Sequence, residues 1–89
     1  MNAIVSVIGK DRVGILAKVS EGVAKHKGSV NDVTQTIIDE YFAMIMIVNI
    51  DSLDIDFNSF VDEMQGLGKD MGLDIHCMHE DIFNLMHSI

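Results

Sequence analysis

The chain has 89 residues, of which 48% are hydrophobic, and its mean hydropathy is +0.27. Its formal net charge is −8, which argues against nucleic acid and against anionic membranes as partners. A chain of this length forms one domain and buries only about 60–65% of its unfolded surface. This much apolar material in so short a chain predicts a partner surface, most simply on a second copy of the same protein.

The charges are unevenly distributed. Residues 1–28 hold five basic and two acidic residues and sum to +3, whereas residues 29–89 hold one basic and twelve acidic residues and sum to −11. An anionic ligand would be better accommodated near the first helix, although solvated helix faces explain these charges equally well.

Cysteine content and hydropathy predict the compartment. The single cysteine, Cys77, rules out an internal disulfide and suits a reducing cytosol. The N-terminus lacks the basic segment of a signal peptide, and the longest apolar run, YFAMIMIV, is far shorter than the roughly 20 residues that span a bilayer. We therefore expect a soluble, cytoplasmic protein without a membrane partner.

The first third of the chain predicts a strand and then a helix. Residues 3–8, AIVSVI, are mostly β-branched, which favours a strand. Asp11 is a suitable N-cap, and Gly28 is predicted at the C′ position of the helix. Gly22 inside the helix predicts close packing. Apolar residues recur between the caps at helical spacing, at Ile15, Leu16, Val19 and Val23.

The rest of the chain predicts three strands and two helices. Residues 29–38 and 41–50 nearly abut, which favours an antiparallel hairpin, and the second of these runs is apolar on both faces. Residues 57–71 have helical periodicity, and residues 73–79 alternate as a fourth strand. Residues 80–89 predict a short tail helix. Its predicted apolar face consists of Ile82, Leu85, Met86 and Ile89.

This order predicts an α+β, ferredoxin-like βαββαβ fold, with a four-stranded antiparallel sheet backed by two helices and a short C-terminal helix. Strands 1 and 3 should be central. Because strand 3 is apolar on both faces, we expect the sheet face opposite the helices to be covered by a second subunit or by the tail helix.

Several functions known for this fold do not fit the first loop, GKDRVG. A metallochaperone would need a Cys-x-x-Cys motif there, and an acylphosphatase would need a phosphate cradle to which Arg12 alone is too little. An RNA-binding sheet would need exposed aromatic residues on strands 1 and 3 in basic surroundings, and strand 1 has no aromatic residue.

The segment DRVGILAKVSEGVAKHKGSVNDVTQT resembles the ACT domain, a small regulatory module that typically binds amino acids beside metabolic enzymes and regulators. The resemblance spans residues 1–89 as a single domain. It is most similar to small stand-alone ACT proteins and to the amino-terminal modules of the glycine cleavage repressor and formyltetrahydrofolate deformylase. The matching motif residues are Asp11, Gly14, Leu16, Gly28 and Asn31, and Val13 replaces a usual proline.

The resemblance implies a regulatory module that binds a small amino acid where the first loop meets strand 2 of a neighbouring subunit, in a homodimer or larger assembly. It implies no catalytic residue, cofactor or metal. The predicted ligand-binding residues are Asp11, Arg12, Val13, Gly14, Ile15, Leu16, Asn31 and Asp32.

The chemistry of these residues suits a zwitterion. Gly14 would let a carboxylate approach the free amides of the first helical turn, and Asp11 or Asp32 could accept the ammonium group. Asn31 can donate and accept. Each also has a plain structural explanation: helix–strand packing for Gly14, capping for Asp11, and turn formation for Asn31 and Asp32. The alternative function is an oligomerisation or partner-docking module without a small ligand.

The HCMHED segment offers other chemistry. Cys77 and His79 would share one strand face while His76 points to the other, which makes a metal site improbable. Cys77 as a nucleophile would need a lowered pKa and a base, for which His79 is the only candidate. The residues alone leave the roles of these three side chains open.

Overall fold

The computed structural model describes residues 1–10 and 13–86, and its architecture is the predicted α+β, ferredoxin-like one. In these described segments, no helix combines the length and the hydrophobicity needed to cross a bilayer. The elements are β1 (Asn2–Gly9), α1 (Ile15–Lys25), β2 (Ser29–Ile38), β3 (Tyr41–Asn49), α2 (Phe57–Met71), β4 (Asp74–His79) and α3 (Glu80–Met86).

The four strands form one antiparallel sheet in the order β2-β3-β1-β4. The prediction that β1 and β3 are central is confirmed, and β2 and β4 are the edges. The helix α1 packs over the β2 side of the sheet, and α2 packs against β4.

The hydrophobic core lies between the sheet and the helices α1 and α2. Alternate residues of β1 and β3 point into it, since successive side chains of a strand face opposite sides. Three methionines, Met44, Met46 and Met64, are fully or almost fully buried in this core, as expected for residues that fill irregular gaps.

The end of α1 differs from the prediction. Gly28 is not the C′ residue; the left-handed position belongs to Lys27, with φ 66°. The Lys27 amide donates to Ala24 and the Gly28 amide donates to Val23 at 3.0 Å, which is the bond pattern of a Schellman motif. Gly28 is instead required for close packing, because a Cβ there would lie 2.8 Å from Val23 Cγ1.

The glycines of the helical layer have different surroundings. A Cβ on Gly22 would lie 3.1 Å from Leu67, which confirms the close packing predicted there, and one on Gly68 would lie 2.9 Å from the Leu73 carbonyl. A Cβ on Gly66 would meet no atom within 4 Å. The two helices therefore approach closely at Gly22, whereas Gly66 is open to solvent.

The tail helix α3 folds back over the sheet face that points away from α1 and α2, which we call the outer face. The expectation that α3 covers this face is met only over the half formed by β1 and β4. Phe83 and Met86 border the sheet, and Ile82, Leu85 and Met86 are 54%, 79% and 65% exposed. Of the predicted apolar face of this helix, only Met86 therefore lines the space next to the sheet, and Ile89 lies outside the described residues.

Candidate ligand-binding site

Gly14 is the N-cap of α1, and its backbone has φ 75° and ψ 1°. The helix begins at Ile15, so the prediction that Asp11 is the N-cap is wrong. A Cβ on Gly14 would meet no atom within 4 Å, which excludes helix–strand packing as the reason for glycine. The left-handed backbone is the reason, because a side chain is disfavoured at such a φ.

The first turn of α1 presents backbone groups to the space beside Gly14. The Gly14 carbonyl accepts the first helical bond, from the Lys18 amide at 3.0 Å. The preceding amides of a helix have no acceptor within the helix and carry partial positive charge. Gly14 has no side chain with which to cap them, so an external carboxylate can approach them closely.

The other predicted residues of this loop have different surroundings. Val13 is 84% exposed and Leu16 is 40% exposed, so both present apolar surface beside Gly14. Ile15 points into the core and is only 2% exposed, and it can therefore contribute only its backbone. Asp11 and Arg12 lie outside the described residues.

Asn31 and Asp32 lie in a β-bulge of β2, not in a turn, so the expectation that they are turn formers is wrong. The register with β3 slips between Val30 and Asp32, which leaves Asn31 as the extra residue. Both side chains are exposed, and Asp32 Oδ1 accepts the Val33 amide at 2.9 Å. A bulge leaves the extra residue out of the strand ladder, so its polar groups can serve another partner.

The two halves of the predicted site do not meet within one chain. The sheet register places Asn31 near the row of Ala3, at the start of β1. Gly14 follows the opposite end of β1, beyond Gly9. The rows of Ala3 and Gly9 are six residues apart on β1, a distance of roughly 20 Å. A single small ligand therefore cannot contact both Gly14 and Asn31 of the same chain.

Lys10, which follows β1 four residues before Gly14, is a charged residue that the sequence interpretation did not select. Its ammonium lies 3.7 Å from Glu40 Oε1 and 5.7 Å from the centre of the Tyr41 ring. These contacts join the loop after β1 to the tip of the β2–β3 hairpin. The sequence signal for Lys10 was its position directly before the DRVG motif, because a cation in this loop adds to the positive potential at the N-terminus of α1.

The HCMHED segment does not form a second site. Burial raises the pKa of the Cys77 thiol to about 12, so this thiol does not supply a thiolate near neutral pH. His79 packs edge-on against Phe57 with ring centres 5.9 Å apart, and His76 Nε2 lies 3.3 Å from Asp74. In the part of the chain that the structure describes, no three His, Cys, Asp or Glu side chains converge as a metal site.

Comparison with known proteins identifies the family. Residues 2–78 match the sequence profile of the ACT domain. The chain belongs to the ACT domain family. This ACT domain is 46% identical over 87 residues to a UPF0237 protein of Bifidobacterium longum, a match that covers 98% of this chain and 97% of that protein.

Solved structures share the fold of this chain. An ACT domain protein from Streptococcus pneumoniae is 36% identical, covers 93% of each chain and superposes with a TM-score of 0.84. A formyltetrahydrofolate deformylase from Pseudomonas syringae pv. tomato shares the fold over 86% of this chain and 26% of its own, with 24% identity and a TM-score of 0.76. A protein described as a glycine cleavage system transcriptional repressor shares it with a TM-score of 0.69 at 19% identity.

Proposed function

We propose that this ACT domain is a non-catalytic regulatory module that binds a small amino acid between two subunits and signals its presence to a metabolic enzyme or regulator. ACT domains are typically regulatory ligand-binding modules, and this chain belongs to that family. The observation that carries the proposal is the N-cap at Gly14. Its backbone is left-handed, and a Cβ built on Gly14 would meet no other atom within 4 Å.

The separation of Gly14 from Asn31 supports a site shared by two copies. Strand β2 is an edge of the sheet and can pair with β2 of a second copy about a twofold axis. Antiparallel pairing would bring the Asn31 end of one β2 to the hairpin end of the other. Because α1 packs over the β2 side, its N-terminus faces that junction. In this arrangement each ligand contacts the Gly14 loop of one copy and Asn31 of its partner.

The chemistry suggests which ligand groups bind where. The carboxylate of the ligand would lie at the first amides of α1, on the loop that also carries Lys10, and Asn31 of the second copy would contact the ligand's ammonium group. The exposed side chains of Val13 and Leu16 would contact a small apolar side chain. A binding role without catalysis also suits the protonated Cys77 thiol.

A thermal-shift screen of the twenty common amino acids tests this function. A ligand at a hundredfold excess over its Kd stabilises the native state by about 2.7 kcal/mol, a clear rise in Tm for a domain of this size. Asn31→Ala should abolish the shift, and Gln65→Ala, an exposed substitution on α2, should leave it unchanged. No shift by any amino acid at 10 mM would refute the proposal.

The second candidate is an oligomerisation or partner-docking module without a small ligand. The exposed apolar side chains of α3 and of the sheet favour it, since a soluble monomer rarely exposes so contiguous a patch. A stable assembly in wild-type protein that gives no amino-acid response would support this candidate over the first.

A further inference from the structure

The tail helix α3 and the outer face of the sheet border a cavity of about 170 Å³. Its floor is formed by β1, β3 and β4, and its roof is formed by α3. Three of the lining side chains can bind a soft metal ion: His76 and Met78 of β4, and Met86 of α3. The segment HCMHED forms no site by itself, but α3 brings a further donor to two of its residues. The rest of the lining consists of Ile4, Ser6, Ile45 and Phe83.

Strand alternation explains why the two β4 donors share this cavity. Ile75 is 3% exposed, and both it and Cys77 pack against the core on the inner face of β4. His76 and Met78 therefore point to the outer face. Two residues along a strand span about 7 Å, so both side chains can reach one ion between them. The Cys77 thiol takes no part, because it lies on the opposite face of the sheet.

Asp74 lies beside His76 as a carboxylate commonly lies beside a metal-binding histidine. The His76 Nε2 atom is 3.3 Å from Asp74 Oδ1. In metal sites, such a carboxylate at the second ring nitrogen sets the tautomer and the orientation of the imidazole. A proton that is kept on Nε2 leaves the lone pair of Nδ1 for an ion. The contact therefore prepares His76 to act as a ligand through Nδ1.

Met86 can adjust its position to an ion in the cavity. Its side chain is largely exposed on a helix of only seven residues. Methionine combines three rotatable side-chain bonds with a polarizable sulfur, so the thioether can close over an ion that has entered. The Phe83 ring lines the same cavity, and a cation close to the face of an aromatic ring is stabilised further.

The donor set selects a soft monovalent cation. Thioether and imidazole donors suit Cu⁺, whereas Zn²⁺ in proteins is bound by thiolate, imidazole and carboxylate donors. Ca²⁺ and Mg²⁺ need several oxygen donors, and among the described lining side chains only the Ser6 hydroxyl provides one. Thioethers carry no charge, so a divalent ion in this cavity would keep more uncompensated charge than a monovalent one. The neighbouring Asp74 carboxylate can balance a single positive charge.

We propose that His76, Met78 and Met86 bind one Cu⁺ ion, and that Asp74 orients His76 for this role. The ion joins α3 to β4 and so fastens the tail helix to the sheet. The site lies on the sheet face opposite α1, so it is separate from the amino-acid site at Gly14 and does not depend on it.

Titration with Ag⁺ tests the site, because Ag⁺ is a soft monovalent ion like Cu⁺ and keeps its oxidation state in air. The methionine methyl groups of the full chain are labelled with an NMR-active isotope. On addition of Ag⁺, the methyl signals of Met78 and Met86 should shift. The signals of the core residues Met44, Met46 and Met64 should stay in place, since these side chains are buried on the other side of the sheet.

Variants that remove one donor at a time locate the ion. Met78→Leu and Met86→Leu each delete a sulfur with little change in side-chain volume, and His76→Gln deletes the imidazole. Each should weaken Ag⁺ binding in calorimetry by at least about tenfold. Asp74→Asn should weaken it by about tenfold, as loss of an outer carboxylate commonly does. Met71→Leu on α2 is the matched control and should keep the wild-type affinity.

The Cys77 thiol needs its own control, because thiolates also bind soft ions. Cys77→Ser should still bind one Ag⁺ ion per chain, with the same two methyl signals shifted. Loss of binding in Cys77→Ser, wild-type affinity in Met78→Leu or Met86→Leu, or no methyl shift at equimolar Ag⁺ would overturn the proposal. A negative amino-acid screen would not affect this test, since the metal site shares no residue with the Gly14 loop.

Discussion

Substitution of Gly14 separates a backbone requirement from a packing requirement. Gly14 has φ 75°, and a Cβ there would meet no atom within 4 Å. An L-residue in the left-handed region costs roughly 1–2 kcal/mol, and replacing glycine by alanine regains about 0.4–1 kcal/mol through the unfolded chain. We therefore expect Gly14→Ala to destabilise the native state by about 1 kcal/mol.

Asparagine provides the discriminating comparison at the same position. It tolerates positive φ better than alanine does, although its side chain is larger. Gly14→Asn should therefore be less destabilising than Gly14→Ala. If the position required a small side chain for packing, the order would be reversed.

Urea denaturation followed by circular dichroism measures these differences in the free energy of unfolding. Gly66→Ala is the control, because Gly66 lies inside α2 with open space around it, and alanine should stabilise by about 1 kcal/mol there. A Gly14→Ala variant as stable as the wild type, or a Gly14→Asn variant less stable than Gly14→Ala, would refute the backbone explanation.

Three further substitutions or measurements test other parts of the structure. Gly28→Ala should cost about 1–3 kcal/mol in urea denaturation, because its Cβ would crowd Val23, and a neutral result would contradict the close packing there. Native Cys77 should react with a thiol reagent at pH 8 about a thousandfold more slowly than the thiol of the urea-unfolded chain, since burial raises its pKa from 9.0 to about 12. The free energy of unfolding should fall above pH 9, because only the thiol of the unfolded chain ionises there. Equal reaction rates in the native and unfolded protein would contradict the burial of Cys77. Lys10→Glu should weaken amino-acid binding about fivefold in titration calorimetry by opposing the ligand carboxylate, whereas unchanged affinity would remove Lys10 from the site.

The fold was predictable because the hydrophobic periods are strong and the connections are short. Strands 1 and 3 were assigned to the centre of the sheet from the βαββαβ order, with which the two apolar faces of strand 3 agree, and the structure confirms this. The ends of α1 were less predictable. A glycine after three basic residues suggested C′, but Lys27 adopts the left-handed conformation while Gly28 is limited by Val23. Local sequence did not reveal that tertiary contact.

The candidate site was predictable as a set of residues but not as an arrangement. The resemblance selected both Gly14 and Asn31, and only the sheet register reveals that one chain holds them at opposite ends. The bulge at Asn31 was also hidden, because the polar segment SVND suits a turn as well as an irregular strand. The exposure of Ile82 and Leu85 on α3 was hidden as well, since so short a helix gives a weak periodic signal.

Complementation between two variants that do not bind the ligand tests the shared site most directly. Gly14→Asp would place a carboxylate where the ligand carboxylate binds, and Asn31→Ala would remove the polar contact from the second copy. Titration calorimetry with the amino acid that stabilises the wild type should detect no binding to either variant alone. After mixing and subunit exchange, binding should return at wild-type affinity to on the order of one quarter of the sites, since half of the dimers are mixed and each has one intact site. Binding that stays absent in the mixture, or that persists in either variant alone, would contradict a site built from two copies.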